Sequence, residues 1–204
     1  MKDNFVITIS REYGSGGRDI GRLVAQKLGI PVYDKEIIMK AAESSGLDPD
    51  YIKNEEQKIT NSPMFSYTRI GYAGANNYAM SDQIYIAQSR AIREFAGEGP
   101  CVIIGRCADF ILKGEKDCLN IFVHADKLFK VNRLIEKYHI TQAEAEKIIK
   151  ESDKRRSRHY KFYTSYEWGD KDNYQICLNS AKIGIENAAD MIVAIAEKLN
   201  ENGN

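Results

Sequence analysis

The chain has 204 residues, enough for one domain or for one core with a small appended lobe. Its 29 lysines and arginines balance 29 aspartates and glutamates, so no overall charge draws it to nucleic acid or to an anionic membrane. Apolar runs such as 101–104 are too short to cross a bilayer. We expect no signal peptide, because a strand follows the first four residues almost at once. We therefore expect a cytoplasmic protein whose partners are small molecules.

The sequence contains no pattern that indicates a metal centre or a disulfide framework. The four cysteines are spread out with no C-x-x-C pair, and the three histidines share no ligand spacing with them. We expect reduced and buried thiols, as is usual in a cytosolic protein. The cysteines are Cys101, Cys107, Cys118 and Cys177, and the histidines are His124, His139 and His159.

Strand and helix signals alternate along the chain. Apolar and β-branched runs predict strands at 5–10, 30–33, 101–104, 119–123 and 174–178. Helical spacing of apolar residues predicts helices at 18–28, 35–45, 81–96, 125–138, 141–158 and 183–199. Ser81 is the expected N-cap of one helix, and Thr141 forms a capping box with Glu144 at another. Residues 60–80 are rich in Asn, Ser, Tyr and Gly without a clear period, which indicates a lobe or a mobile loop.

This alternation favours a parallel sheet that is covered by helices on both faces. In such folds, ligands bind at the carboxyl ends of the strands. Three groups of polar or glycine residues follow predicted strands: the segment 11–19, then Asp34, then Gly105 with Arg106. We expect these groups to lie at one edge of the sheet and to form a functional site.

The segment 11–19 reads Arg-Glu-Tyr-Gly-Ser-Gly-Gly-Arg-Asp and joins a strand to an amphipathic helix. Glycine allows the close backbone approach that a phosphate-binding turn needs, and the helix start offers unpaired N–H groups to an anion. The segment lacks the lysine and the hydroxyl residue of the usual G-x-x-x-x-G-K-[ST] pattern. Taken alone, it fits a variant phosphate loop, a turn without a ligand, or a dinucleotide site in which Asp34 binds the ribose.

Two further groups of residues indicate phosphate chemistry. Arg106 ends an apolar strand and offers a planar fork for bidentate phosphate contacts, although a surface ion pair would also explain it. Six of the eleven residues in 151–161 are Lys, Arg or His. This run is either a solvated helix face or a set of arginines that close over a transferred phosphoryl group. Arg155 and Arg158 share a helix face, whereas Arg156 points elsewhere.

Nearly the whole chain resembles the cytidylate kinase-like family, within the P-loop nucleoside monophosphate kinases. The resemblance rests on segments 7–18, 33–36, 102–106, 153–160, 168–169 and 174–180, none of which would suffice alone. It implies a P-loop NTPase-like three-layer α/β/α fold with a five-stranded parallel sheet. It also implies one domain over residues 1–204, composed of a core (1–34, 81–150 and 166–204), a lobe that binds the nucleoside monophosphate (35–80) and a lid (151–165).

The resemblance also implies roles for individual residues. The phosphates of ATP would lie against Gly14, Ser15, Gly16, Gly17, Arg18 and Asp19. The acceptor would be bound by Asp34, Lys40 and Arg106, and the transferred group by Arg18, Arg155, Arg156 and Arg158.

The phosphate loop departs from the family pattern at three positions. Arg11 stands at the first glycine, Gly17 at the lysine and Asp19 at the threonine. Arg18 is then the expected substitute for the lysine. Asp19 either binds Mg²⁺ directly or favours the helix N-terminus. Cys107 replaces an aspartate that bears on pyrimidine recognition in the family, so the resemblance does not extend to cytidine specificity.

These observations lead to one principal hypothesis and one alternative. The principal hypothesis is a kinase that uses ATP and Mg²⁺ to phosphorylate a small phosphate acceptor, most simply a nucleoside monophosphate. The alternative is a catalytically silent nucleotide-binding regulatory protein, which the missing lysine favours. Neither nucleic acid nor a membrane is expected as a partner, and assembly as a homodimer stays open.

Overall fold

The computed structural model describes residues 5–46, 48–50, 52 and 75–202, with the backbone alone for 75–80 and 202. The lobe or loop that was expected at 60–80 therefore lies largely outside the described residues. Five strands form one parallel sheet in the order β2-β3-β1-β4-β5. They are β1 (Phe5–Arg11), β2 (Val32–Tyr33), β3 (Cys101–Ile104), β4 (Asp117–His124) and β5 (Ile176–Asn179). The five-stranded parallel sheet is thus confirmed.

Helices flank the sheet between and after the strands. In the described part of the chain they are α1 (Gly17–Leu28), α2 (Glu36–Ser45), α3 (Ala75–Gly97), α4 (Ala108–Ile111), α5 (Lys127–Tyr138), α6 (Gln142–Thr164), α7 (Ser180–Ile183) and α8 (Ile185–Asn202). The capping box of Thr141 and Glu144 is present at the start of α6. The N-cap expected at Ser81 is wrong, because α3 begins at Ala75 and Ser81 lies buried inside it. Asn76, Asn77 and Tyr78 before Ser81 are weaker helix formers and interrupt the apolar spacing at this end of the helix.

Alternate side chains of β1 divide the interior into two cores. Ile7 and Ile9 belong to a cluster that includes Val24 of α1 and Ile192 of α8. Val6 belongs to the opposite cluster, which includes residues of α2, α3, α4 and α6. Because successive residues of a strand point to opposite faces, this division places helices on both sides of the sheet. The result is the three-layer α/β/α arrangement.

The strand order bears on the dinucleotide interpretation of the glycine-rich segment. In the dinucleotide-binding fold, the second strand of the chain pairs directly with the first. Here β3 lies between β1 and β2 and is hydrogen bonded to both. The dinucleotide interpretation is therefore wrong, and the order is that of a P-loop kinase-like fold.

The segment expected as a lid, 151–165, lies almost entirely within α6. This helix is continuous over 23 residues and ends at Thr164, and the next residue, Ser165, has a φ of +64°. Its first half packs on α5 through Ala145 and Ile149. Its second half reaches the core that contains Val6, through Tyr160. The division into core, lobe and lid stays a prediction. Of the helices that the structure describes, none combines the length and the apolar character needed to span a bilayer.

Candidate active site

Two adjoining cavities open where β1, β2 and β3 end. The first, called here the arginine cleft, is lined by five arginines and one carboxylate, Asp34, with His159, Tyr160 and Trp168 beside them. The second, called here the loop cavity, is lined by the glycine-rich loop and by side chains of α5. The arginines of the cleft are Arg11, Arg18, Arg106, Arg155 and Arg156. Three of them, Arg11, Arg18 and Arg156, line both cavities.

The loop between β1 and α1 is shaped by its glycines. Gly14 and Gly16 have φ values of +82° and +81°, which side chains rarely adopt. A Cβ at Gly14 would lie 2.8 Å from Leu134, and one at Gly16 would lie 2.8 Å from Ile185. Both positions therefore require glycine for conformation and for space.

Several backbone N–H groups of this loop are available to a ligand. Among the described residues, the N–H groups of Gly14, Gly16 and Arg18 donate to no protein acceptor, and all three residues line the loop cavity. The N–H of Gly17 makes only a 3.4 Å contact with the hydroxyl of Ser15. Clustered N–H groups at a helix start form an anion-binding cradle. The loop thus retains the backbone chemistry of phosphate binding although its lysine is absent.

Charged residues of α5 and α6 hold the loop from outside. The backbone N–H of Tyr13 donates to Oδ1 of Asp153 over 2.7 Å. Nζ of Lys130 lies 2.8 Å from Glu12 and 3.7 Å from Asp153. Burial raises the pKa of Asp153, while the hydrogen bond from Tyr13 opposes that rise. These contacts fix the loop against both helices.

Asp34 is the centre of an arginine cluster in the cleft. Its carboxylate lies 2.6 Å from Nε of Arg18, 3.5 Å from Nη1 of Arg106 and 4.0 Å from Nη2 of Arg11. Its backbone carbonyl also accepts a hydrogen bond from Arg106 over 2.7 Å. One carboxylate therefore faces three guanidinium groups, and the cleft keeps an excess of positive charge. Such a site attracts anions.

The turn after β3 orients Arg106. Gly105, Arg106 and Cys107 have φ values of +77°, +54° and +57°. Two successive non-glycine residues in this region are strained, and such strain is concentrated at functional sites. Here the turn directs Arg106 back toward Asp34 across the end of β2.

The arginines of α6 divide between the site and its surroundings. Arg156 donates to the backbone carbonyl of Arg11 over 3.0 Å and lies 3.5 Å from Asp153. Its guanidinium carbon is 5.3 Å from the ring centre of Tyr13, and burial lowers its pKa. Arg155 lines the arginine cleft, whereas Arg158 is among the lining residues of neither cavity. The structure therefore brings Arg155 and Arg156, not Arg155 and Arg158, to the site.

Two other predicted site residues carry ion pairs of their own. Lys40 lies on α2, 2.7 Å from Glu94 of α3, and lines neither of the two cavities. Asp19 lines the loop cavity and is paired with Arg133 of α5. Within the described residues, no three His, Cys, Asp or Glu side chains are grouped to hold a metal ion. A Mg²⁺ ion here would accordingly take most of its ligands from phosphate and water, with Asp19 exchanging Arg133 for the ion.

Comparison with known proteins agrees with this geometry. The family model described as the cytidylate kinase-like family matches residues 6–182. The chain belongs to the cytidylate kinase-like family. A cytidylate kinase from Methanopyrus kandleri is 25% identical over 205 residues, which cover 96% of this chain and 95% of that relative.

Solved structures place this family member among small-molecule kinase folds. An uncharacterized protein from Eubacterium ventriosum is 27% identical with a TM-score of 0.70, covering 95% of this chain and 98% of that one. A gluconokinase from Sinorhizobium meliloti has a TM-score of 0.56 at 12% identity over both full chains. A shikimate kinase from Acinetobacter baumannii has a TM-score of 0.52 at 11% identity, covering 98% of this chain and 96% of that one. The last two likenesses concern the fold alone.

Some residues of the site were not predicted as site residues. Arg11 lines both cavities, and its position at a glycine of the family pattern was the available signal. Asp153, Lys130 and Arg133 act by holding the loop or Asp19, and they lie more than a hundred residues away in sequence. A single sequence carries no signal for pairings of that length.

Proposed function

We propose that this member of the cytidylate kinase-like family transfers a phosphoryl group from ATP to a small phosphate-bearing acceptor, most simply a nucleoside monophosphate. One observation carries the proposal: two adjoining cavities share Arg11, Arg18 and Arg156 at their junction. The loop cavity offers backbone N–H groups for donor phosphates. The arginine cleft offers cations for an acceptor phosphate, with Arg106 foremost.

The arrangement suits in-line transfer. A phosphate oxygen of the acceptor forms a bond to the γ-phosphorus of ATP. The bond from that phosphorus to the bridging oxygen breaks, and its electron pair leaves with ADP. Negative charge spreads over the transferred oxygens during this step, so cations that are fixed at the junction lower the barrier. Arg156 is well placed for this role because it is half-buried and donates to the loop backbone.

Mg²⁺ would neutralise charge on the donor phosphates when bound. Asp19 supplies the hard oxygen that this ion prefers, at the first turn of α1 and at the edge of the loop cavity. Its side chain is about one third exposed, 35%, so exchange of Arg133 for an ion requires no opening of the core.

A purified-protein assay tests the proposal. ATP, Mg²⁺ and each of a panel of nucleoside monophosphates are incubated with the protein, and the diphosphate products are separated by chromatography. We expect turnover on at least one acceptor and a fall in kcat of about 100-fold or more in Arg156→Gln. Arg93→Gln is the matched control, because Arg93 pairs with Glu115 on the exposed surface. Absence of turnover on every acceptor would contradict the proposal.

A silent nucleotide-binding protein is the second candidate. Gly17 in place of the lysine and the pairing of Asp19 with Arg133 favour it. It predicts ATP binding by calorimetry without any acceptor-dependent release of ADP. Turnover that depends on Arg156 would exclude it.

A further inference from the structure

Arg11 and Gly17 compete for one volume. A Cβ built on Gly17 would lie 2.5 Å from Cβ of Arg11 and 3.0 Å from its Cγ. Real Cβ atoms do not approach so closely, so a side chain at position 17 is excluded while Arg11 is present. The G-x-x-x-x-G-K pattern has the opposite arrangement, with glycine at the position of Arg11 and lysine at the position of Gly17. The two departures from the pattern are therefore coupled. The cationic side chain stands at position 11 instead of 17, and the glycine stands at position 17 instead of 11.

The guanidinium group of Arg11 is also held at its far end. A Cβ on Gly105 would overlap with Nη1 of Arg11, so the glycine after β3 leaves the room that this group occupies. Nη2 lies 4.0 Å from Asp34. The side chain of Arg11 is 14% exposed and runs between Gly17 and Gly105 into the arginine cleft. A charge fixed in this way needs no reorganisation when an anion arrives.

The charge of Arg11 is only partly compensated by the protein. Burial and then Arg156 lower its pKa well below the ordinary value, and Asp34 opposes that shift. The same carboxylate serves Arg18 and Arg106 at shorter distances. Arginine keeps its proton in proteins, so the cation persists in this surrounding. An added anion would relieve the repulsion among the four arginines.

From these contacts we propose that Arg11 is the catalytic cation that replaces the lysine of the phosphate loop, a role that rests on the proposed function. It reaches the β- and γ-phosphates from the end of β1 rather than from the start of α1. Arg156 approaches the same point from α6, since it donates to the backbone carbonyl of Arg11. Arg18, the substitute expected from sequence, is paired with Asp34 at 2.6 Å.

Variants that remove the cation at position 11, or return one to position 17, test whether Arg11 replaces the lysine. Arg11→Met removes the charge but keeps a stem between the two glycines. The double variant Arg11→Gly/Gly17→Lys returns the cation to position 17. Arg22→Met, on the exposed face of α1, is the matched control. Two quantities are measured for each protein: the affinity for pyrophosphate and for ATP by calorimetry, and kcat for transfer.

We expect Arg11→Met to weaken pyrophosphate and ATP binding about tenfold, as loss of one charged contact does. Its kcat should fall about 100-fold or more, as on removal of a transition-state donor. The double variant should regain at least about tenfold in kcat over Arg11→Met, while Arg22→Met stays within about threefold of the original protein.

The inference would be overturned by pyrophosphate affinity in Arg11→Met within about threefold of the original value. A double variant that unfolds as cooperatively as the original protein, yet binds pyrophosphate no better than Arg11→Met, would overturn it equally. Failure of the proposed function is recognised separately, as absence of transfer in the original protein. In that case pyrophosphate affinity across the same variants still decides whether Arg11 takes the phosphate-binding place of the lysine.

Discussion

Nε of Arg18 lies 2.6 Å from Oδ2 of Asp34, so the cation next to the missing lysine is bound to the acid that ends β2. Arg106 and Arg11 share the same carboxylate. Two arginines that line both cavities and one that lines only the arginine cleft are therefore joined through one acid. Asp34 is the shared counter-charge of these three arginines.

Replacing Asp34 by Asn should destabilise the protein by about 2–4 kcal/mol, because Arg106 and Arg11 would remain buried without their counter-charge. Urea unfolding at neutral pH measures this loss. Inorganic phosphate should restore part of it by binding to the freed arginines. A loss below about 1 kcal/mol would show that the cluster has no net effect on stability. A larger loss that phosphate does not change would show that the freed arginines bind no phosphate.

Gly105→Ala should lower the free energy of unfolding by more than the positive φ at this position alone would. Gly105 has a φ of +77°, and its added Cβ would displace the guanidinium of Arg11. Gly29→Ala is the matched control, because Gly29 has a φ of +65° and open space around its Cβ position. We expect about 1 kcal/mol for Gly29→Ala and at least about 3 kcal/mol for Gly105→Ala in urea unfolding. Equal losses would mean that Arg11 moves aside freely.

Asp19 and Arg133 should affect the Mg²⁺ requirement in opposite directions. Asp19→Asn replaces the charged carboxylate at the loop cavity by a neutral amide and should raise the Mg²⁺ concentration for half-maximal transfer about tenfold. Arg133→Gln releases Asp19 from its ion pair and should lower that concentration. Titration of free Mg²⁺ at saturating ATP measures both, and removal of the ion with a chelator should abolish transfer. Identical titration curves for both variants and the original protein would contradict the assignment of Asp19.

The buried pair of Asp109 and Tyr160 should make stability depend on pH. Burial raises the pKa of Asp109, although its hydrogen bond from Tyr160 over 2.6 Å opposes the rise. The folded state then holds this proton more tightly than the unfolded state. The contribution of Asp109 to stability should therefore fall as pH rises from about 4, the ordinary carboxyl pKa, through the raised pKa.

Unfolding of Asp109→Asn and of the original protein at several pH values between about 4.5 and 7.5 isolates this effect. The free energy of the original protein should decline relative to the variant as pH increases. Asp117→Asn serves as a control at an exposed carboxylate of β4. A constant difference between the original protein and Asp109→Asn would contradict the prediction.

Much of the fold was predictable because its signals are local. The run Cys101–Ile104 is wholly apolar and forms a strand with those bounds. The capping box at Thr141 fixes the start of α6 in the same local way. The start of α3 was missed because Asn76, Asn77 and Tyr78 are weaker helix formers without apolar spacing, and burial of Ser81 within the helix follows from tertiary packing.

The site was predictable only in part. The glycines at 14 and 16 and the arginine after β3 are signalled by strand ends, and the structure groups them at one edge. The partners of Lys40 and Asp19, by contrast, depend on which long side chains meet across helices. The importance of Arg11 follows from a shared volume with Gly17, which only coordinates reveal.

The contact between positions 11 and 17 also limits how this loop can evolve. A lysine at 17 meets Arg11, and a glycine at 11 alone removes the side chain that fills the space beside Gly17. Neither single step is therefore neutral, and the two positions must change together or through a compensated intermediate. Across the cytidylate kinase-like family, we expect arginine at the first position to occur with glycine at the second, and glycine with lysine, while the mixed pairs are rare.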